Sequence, residues 1–327
     1  MHKEAVKSSR SMPQPKIILA GTIAICLTGI LLGTIPLFKG MLIQNFCCSS
    51  IAFFRVATAF LSISLFIMVK YLLNGQQGRF LIQKKHLWSF IGYGAISIAA
   101  VNYFYLKSLT CTSTAIAVVT VFVAAPLTTL AVSFFTGNKR NRREVLCILL
   151  IVFGCIMVNM QTGSSGTQWD GILYASMAGV CYGLFSIFGK NVAEDYDYPV
   201  MMFWQFLIAT IATFIAMMLL GELDLKSIFD MRLITTKNVL AVAGIGVLST
   251  FIPYLLYSYG LKNGVSPTTA SALTLLEPIS GTIIAFAFLN EMVNPFQIFG
   301  ILVVIFFSVL LASKKSCEFI FKDTVIG

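Results

Sequence analysis

Ten apolar stretches, each about as long as a bilayer is thick, fill most of this chain, and only two charged side chains, Arg55 and Glu277, fall inside any of them away from its ends. A run of ~20 apolar residues in a helix matches ~30 Å of hydrocarbon. A charge at that depth costs ~2.5–3.5 kcal/mol on insertion scales, so each exception is a candidate for function. With 57% hydrophobic and 11% charged residues, the chain falls far short of the ~25% charged residues of ordinary soluble domains. The expected fold class is an all-α integral membrane protein.

The windows lie near 17–38, 50–70, 88–107, 112–135, 144–160, 170–190, 199–220, 237–261, 266–289 and 295–312. They are continuous apolar runs, not the ~10-residue alternating segments of a barrel, and helices satisfy their own backbone hydrogen bonds in lipid. The first window is long and lacks a small-x-small cleavage site, so it reads as a helix, not a secretory signal. Only Ser108 to Cys111 separate the third window from the fourth.

Ten crossings put both termini on one side. If that side is the cytoplasm, the inner segments hold Lys3, Lys7, Arg10, Lys16, Lys70, Arg79, Lys84, Lys85, Lys139, Arg140, Arg142, Arg143, Lys190, Lys262, Lys314, Lys315 and Lys322. The outer ones hold Lys39, Lys107, Lys226, Arg232 and Lys237. The positive-inside rule therefore places both ends in the cytoplasm, in an inner or plasma membrane. The same bias accounts for the +10 net charge, and no basic face interleaved with exposed aromatics points to nucleic acid. The expected organisation is a disordered cytoplasmic tail (1–16), a first five-helix unit (17–160), an external linker (161–169), a second unit (170–312) and a cytoplasmic tail (313–327).

Sliding the chain on itself by about 150 residues aligns Gly29 and Gly33 with Gly179 and Gly183, and Phe53-Phe54-Arg55 with Phe203-Trp204-Gln205. At an offset of 152, Leu109, Pro126, Phe134 and Asn138 fall on Leu261, Pro278, Phe286 and Asn290. Five helices is an odd number, so a second copy enters the membrane from the opposite face. The expectation is ten transmembrane helices in two five-helix inverted repeats, an arrangement in which substrate sits near the midplane between the copies.

The ordered set Gly260-Leu261-Lys262, Ser266-Pro267, Leu276-Glu277-Pro278, Leu289-Asn290-Glu291, Gln297 and Gly300, with a looser copy in Arg55, Leu109, Pro126 and Gly154, resembles the ten-helix EamA branch of the drug/metabolite transporter superfamily. The resemblance implies a ten-helix carrier of small metabolites, a group whose members handle amino acids, nucleosides, sugar derivatives, adenosyl compounds and drugs. One departure is Lys139, where the family commonly carries an acid corresponding to Glu291, which speaks against a paired role for those two positions.

Glu277 follows Ser266 by 11 residues, which sets it ~16 Å deep at 1.5 Å per residue. Pro278 removes a backbone donor and frees the carbonyl near Thr274, and Pro126 is the corresponding candidate helix break. A carboxyl beside a broken helix at the midplane suits proton or cation coupling; the alternative is a Glu held by interhelical hydrogen bonds. Arg55 lies ~9 Å inside its helix and is read either as an anion-binding fork or as a structural anchor.

Asn102, Tyr103 and Tyr105 on the third span, Tyr254, Tyr257 and Tyr259 on the eighth, and Trp204 and Gln205 on the seventh supply aromatic and hydrogen-bonding groups for a cavity wall, against ordinary packing. The expected substrate-binding residues are Arg55, Asn102, Tyr103, Trp204, Gln205, Tyr254 and Tyr257. Trp88 and Trp169 read as interface anchors. Most of the eight cysteines lie in or beside apolar spans with no metal-ligand spacing, so neither a metal nor a cofactor is expected. Gly183 to Asn191 fails as a phosphate loop, in spacing and in its final residue.

The function these features favour is secondary transport or exchange of a small organic solute by alternating access, with a coupling proton or a counter-metabolite. An acid and a base at different depths fit an amino acid or an adenosyl compound such as S-adenosylmethionine. Two other classes compete: a membrane-embedded lipid-modifying enzyme, which lacks the expected cluster of carboxylates, His or metal ligands, and a non-transporting receptor or assembly factor, which has no need of matched halves.

Overall fold

The computed structural model describes residues 15–74, 80–135, 146, 149–150, 153–154, 157, 169–193, 195–222, 233–263, 265, 274, 276–289, 294–296, 298–303 and 305–307. Lys139, Ser266-Pro267, Asn290-Glu291, Gln297, most of the fifth window, residues 1–14 of the expected first tail and the whole of the second lie outside the described residues; Pro15 and Lys16, expected in the tail, open the first helix instead.

The described elements are helical: α1 (Pro15–Leu32), α2 (Ile35–Leu42), α3 (Cys48–Asn74), α4 (Leu87–Ile91), a π-helical segment π1 (Gly92–Ala100), α5 (Val101–Cys111), α6 (Thr114–Phe135), α7 (Trp169–Ala193), α8 (Tyr198–Leu219), α9 (Thr236–Ala243), π2 (Gly244–Phe251), α10 (Ile252–Lys262) and α11 (Leu276–Leu289). Among the described residues, five continuous runs are long and apolar enough to cross a membrane: Ile17–Leu42, Cys48–Lys70, Lys84–Cys111, Tyr198–Leu219 and Thr236–Gly260. The first is kinked between α1 and α2, where Pro36 lacks a donor for the ladder. There the Thr34 hydroxyl caps the Leu31 carbonyl at 2.6 Å and meets Ser249 Oγ at 2.6 Å.

Leu19, Ile23, Leu27 and Ile30 line one exposed face of α1, and Leu61, Leu65, Met68 and Leu72 line one face of α3. Their spacing is helical, and contiguous apolar stripes of this kind face lipid, not water. The opposite faces bury a core around Leu32, Ile35, Ile51, Leu106, Phe122 and Ile245, and a second around Val56, Ile63, Ile98, Met202 and Phe206.

Packing recurs at the spacing seen in the sequence. A Cβ on Gly92 would lie 2.5 Å from the Phe188 ring, and one on Gly244 would lie 2.3 Å from the Phe38 ring. A Cβ on Gly94 would meet Ile208 Cβ at 2.6 Å and the Gln205 carbonyl at 2.8 Å; one on Gly246 would meet Thr58 Cβ at 2.4 Å and the Arg55 carbonyl at 3.3 Å. Thus α8 packs on π1 as α3 packs on π2, while α1 lies on α10 as α7 lies on α5. The corresponding helices α3 and α8 also pack on each other. Phe53 meets Phe214 at 5.9 Å and Phe60 meets Phe203 at 5.3 Å, so position falls along α8 as it rises along α3, and the two helices run antiparallel.

Candidate functional site

Arg55 leaves α3 two turns from its start and is 5% exposed. Its Nε donates to Thr250 Oγ1 on π2 at 2.8 Å. The Thr250 hydroxyl in turn donates to the Ile245 carbonyl at 2.8 Å, five residues back, a bond that the wide π turn permits; π turns often occur where a helix serves a site. Arg55 also interacts electrostatically with Tyr254, Tyr105 and Glu277. The side chain is therefore turned into the bundle and does not reach along the helix toward its end.

Glu277 sits in the first turn of α11, whose start is marked by a turn at Thr274. The Glu277 amide donates to the Thr274 carbonyl at 2.9 Å, so that carbonyl is taken up by a tighter turn where Pro278 offers no N–H. Ser280 fixes this turn to α1, since its hydroxyl lies 3.3 Å from the Gly29 carbonyl and 3.1 Å from the Glu277 carbonyl. Gly33 permits the approach: a Cβ there would fall 2.0 Å from Ser280 Oγ. At the corresponding position α6 continues from Thr114 to Phe135 through Pro126, so Pro126 deletes a donor within a helix, whereas Pro278 falls in a first turn.

Around this pair stand tyrosines from five elements, Tyr105 of α5 among them. Tyr182 of α7 interacts electrostatically with Glu277, Tyr254, Tyr257 and Tyr198, and Tyr93 of π1 with Tyr198, Tyr254, Tyr257 and Tyr182. Phe185 joins them, its ring 4.7 Å from Tyr93 and 6.0 Å from Tyr254. Of the expected residues, the fold thus gathers Arg55, Tyr254, Tyr257 and Glu277. Asn102 and Gln205 are buried, at 5% and 1% exposed. Among the described residues both amide atoms of Gln205 lack a hydrogen-bond partner, as does the Ser97 hydroxyl.

Tyr103 and Trp204 lie elsewhere. Tyr103 points to one end of the bundle, where its hydroxyl donates to Glu222 at 3.2 Å. Glu222 also accepts from Ser49 and from Lys107 at 3.4 Å, beside a crevice of about 480 Å³ lined by Cys47, Cys48, Thr110 and Gly221 among others. Gly221, with φ at 66°, closes α8 and aims Glu222 there; Glu222 N reaches the Met217 carbonyl at 3.0 Å and Gly221 N the Met218 carbonyl at 3.3 Å, a Schellman cap. Burial pushes the Glu222 carboxyl up, but the Ser49 hydrogen bond, the Lys107 charge and the Tyr103 hydroxyl prevail and hold it below the usual carboxylate range.

Trp204 is at the opposite end, its Nε1 donating to the Phe80 carbonyl at 2.7 Å. There Asp195 accepts from Lys85 Nζ and from His86 Nε2, each at 2.6 Å, and Gln83 N donates to the Tyr196 hydroxyl at 2.8 Å. The hydrogen bonds from Lys85 and His86 hold the Asp195 carboxyl down at about 2. The place equivalent to His86–Asp195 in the other half is held by Asn45 and Asn238, Nδ2 to Oδ1 at 3.2 Å.

Apolar, outward-facing helices of membrane-crossing length around a buried arginine define a multi-pass membrane protein. The EamA-like transporter family model matches residues 19–160 and again 169–313. The chain belongs to the EamA-like transporter family, a non-enzymatic class. It is 23% identical over 219 residues to the "Uncharacterized transporter YwfM" of Bacillus subtilis (strain 168), covering 67% of this chain and 71% of that one. An "Uncharacterized transporter" of Archaeoglobus fulgidus is 22% identical over 282 residues, covering 86% and 92%. The "Uncharacterized inner membrane transporter YedA" of Escherichia coli (strain K12) is 26% identical, with 60% of this chain matched to 61% of that one. A solved crystal structure shares the fold with a TM-score of 0.64 and 16% identity, covering 90% of this chain and 98% of the other.

Proposed function

We propose that this chain is a secondary active transporter or exchanger that carries a small zwitterionic organic solute by alternating access, with Glu277 as the protonatable or cation-binding group. The observation that carries this reading is the convergence of Arg55 and Glu277 among tyrosines. Among the described residues the ion pairs join Lys85 and His86 to Asp195 and Lys107 to Glu222, and none joins Arg55 to Glu277. An acid and a guanidinium that share the centre without pairing leave a place for a carboxylate against the guanidinium fork and an ammonium against the acid. The surrounding rings add stacking surface for a planar substituent.

Two five-helix units inserted with opposite orientation, ten crossings in all, and cytoplasmic termini complete the proposal. The antiparallel pairing of α3 with α8 and the recurring glycine contacts support the inversion, and the basic-residue bias supports the orientation.

The test is uptake and counter-exchange by purified protein in sealed proteoliposomes across a pH gradient, with amino acids and S-adenosylmethionine as the first solutes. Glu277→Gln is expected to abolish the pH dependence of transport, and Arg55→Lys to weaken affinity for carboxylate-bearing solutes by at least about tenfold. Glu277→Gln with unchanged rate, affinity and pH profile removes the acid from the mechanism.

A further inference from the structure

Gln205 presents a puzzle of satisfaction. It is 1% exposed, yet among the described residues neither its amide oxygen nor its amide nitrogen has a partner. Leaving such groups unpaired is costly, and orphaned buried amides of this kind are rare.

The internal correspondence explains how the vacancy arises. Gln205 on α8 is the counterpart of Arg55 on α3, and each has its carbonyl close to a π-segment glycine, Gly94 and Gly246 respectively. Arg55 has one partner in Thr250; at the 152 offset, Thr250 corresponds to Ile98, whose side chain has no polar atom to offer. Ser97 has lost its mate in the same way. Its counterpart Ser249 meets Thr34 Oγ1 at 2.6 Å, and Leu184 stands where Thr34 would. Carried across, the groups around Arg55 (Thr250, Tyr254, Tyr105 and Glu277) become Ile98, Asn102, Tyr257 and Ala125. One half of the centre is charged and the other is neutral.

We propose that Gln205 is a specificity-determining residue whose amide holds a planar, uncharged edge of the solute that presents a donor and an acceptor side by side. This rests on the carrier reading given above, and it adds what the far end of the zwitterion must look like. Primary amides pair with such an edge through two parallel hydrogen bonds, as Gln does with the amino and ring-nitrogen pair of adenine. The ring contacts between α3 and α8 set Arg55 opposite a position about five residues from Gln205, so the two side chains leave the bundle axis ~7.5 Å apart along it. That separation suits one solute with its carboxylate on Arg55 and its neutral edge on Gln205.

Two matched pairs of solutes, each tested in proteoliposomes, separate the two sources of such an edge: L-glutamine against L-norleucine for a carboxamide, and S-adenosylhomocysteine against its 6-deamino analogue for an aminopurine. Wild-type protein is expected to favour the edge-bearing member of one pair by at least about tenfold, and Gln205→Met to erase that preference. Because the amide has no protein partner to lose, ligand-free Gln205→Met is expected to melt at or above the wild-type temperature. A fall in Tm of several degrees shows that the amide serves the fold and overturns the proposal, as does a preference that survives Gln205→Met. If neither pair is discriminated while other zwitterions are carried in a Glu277-dependent manner, the Gln205 subsite falls and the carrier stands; if no zwitterion is carried, the carrier reading falls and takes the subsite with it.

Discussion

Arg55 and Thr250 show how one buried hydrogen bond fixes a charge in a lipid-facing bundle. Thr250→Val is expected to destabilise the protein by about 1.5–3 kcal/mol, because it leaves the guanidinium short of a partner in a dry interior; Thr250→Ser restores it, and thermal unfolding in detergent checks both. Asp195 gives a pH dependence with a definite sign. Its folded pKa, at about 2, is below the ~3.9 of a free aspartate, so its contribution is complete above that value and lost as pH falls through the folded one. Wild-type stability should therefore drop more steeply than that of Asp195→Asn on acidification below about pH 4, in titrations followed by circular dichroism. At this scale the sequence exposed part of the centre. Arg55 and Glu277 stood out because a lone charge in an apolar run has few explanations, whereas Tyr93, Tyr182 and Tyr198 are unremarkable within amphipathic aromatic sequence and converge only through packing. Tyr103 and Tyr105 are two positions apart and so point to different faces of α5: the first serves Glu222, the second Arg55.

At the level of elements, the two π segments are the least legible parts of the chain. Hydropathy locates an apolar span but says nothing about whether its turns hold 3.6 or more residues, so Gly92–Ala100 and Gly244–Phe251 read as ordinary helix until Phe188 and Phe38 are seen against their backbones. The kink between α1 and α2 was likewise hidden inside one continuous apolar window. What could be read was the recurrence, because glycines at a packing crossover cannot be replaced without moving a helix. Gly94→Val and Gly246→Val should each destabilise the bundle by about 1–3 kcal/mol, since the added atoms meet Ile208 and Thr58 at distances no real Cβ occupies. Similar losses at both sites, measured by thermal unfolding, are the expected outcome; indifference at either one would show that α3 and α8 do not press on the π segments alike.

For the molecule as a whole, the structure is fastened at both ends, by Asn45 with Asn238 at one and by His86 and Lys85 with Asp195 at the other. Alternating access requires each fastening to open in turn. Disulfides engineered from Asn45→Cys with Asn238→Cys, or from His86→Cys with Asp195→Cys, in a background freed of native cysteines, should each arrest uptake, and reduction should restore it; a cross-linked carrier that still turns over would exclude that end as a gate. The two closures differ in kind. Counter-ions weaken an exposed ionic latch and leave a neutral amide pair almost untouched. Raising the salt on the Asp195 side should therefore tip the resting molecule toward opening there, so that the electrolyte bathing one face alone sets which way an idle carrier gapes.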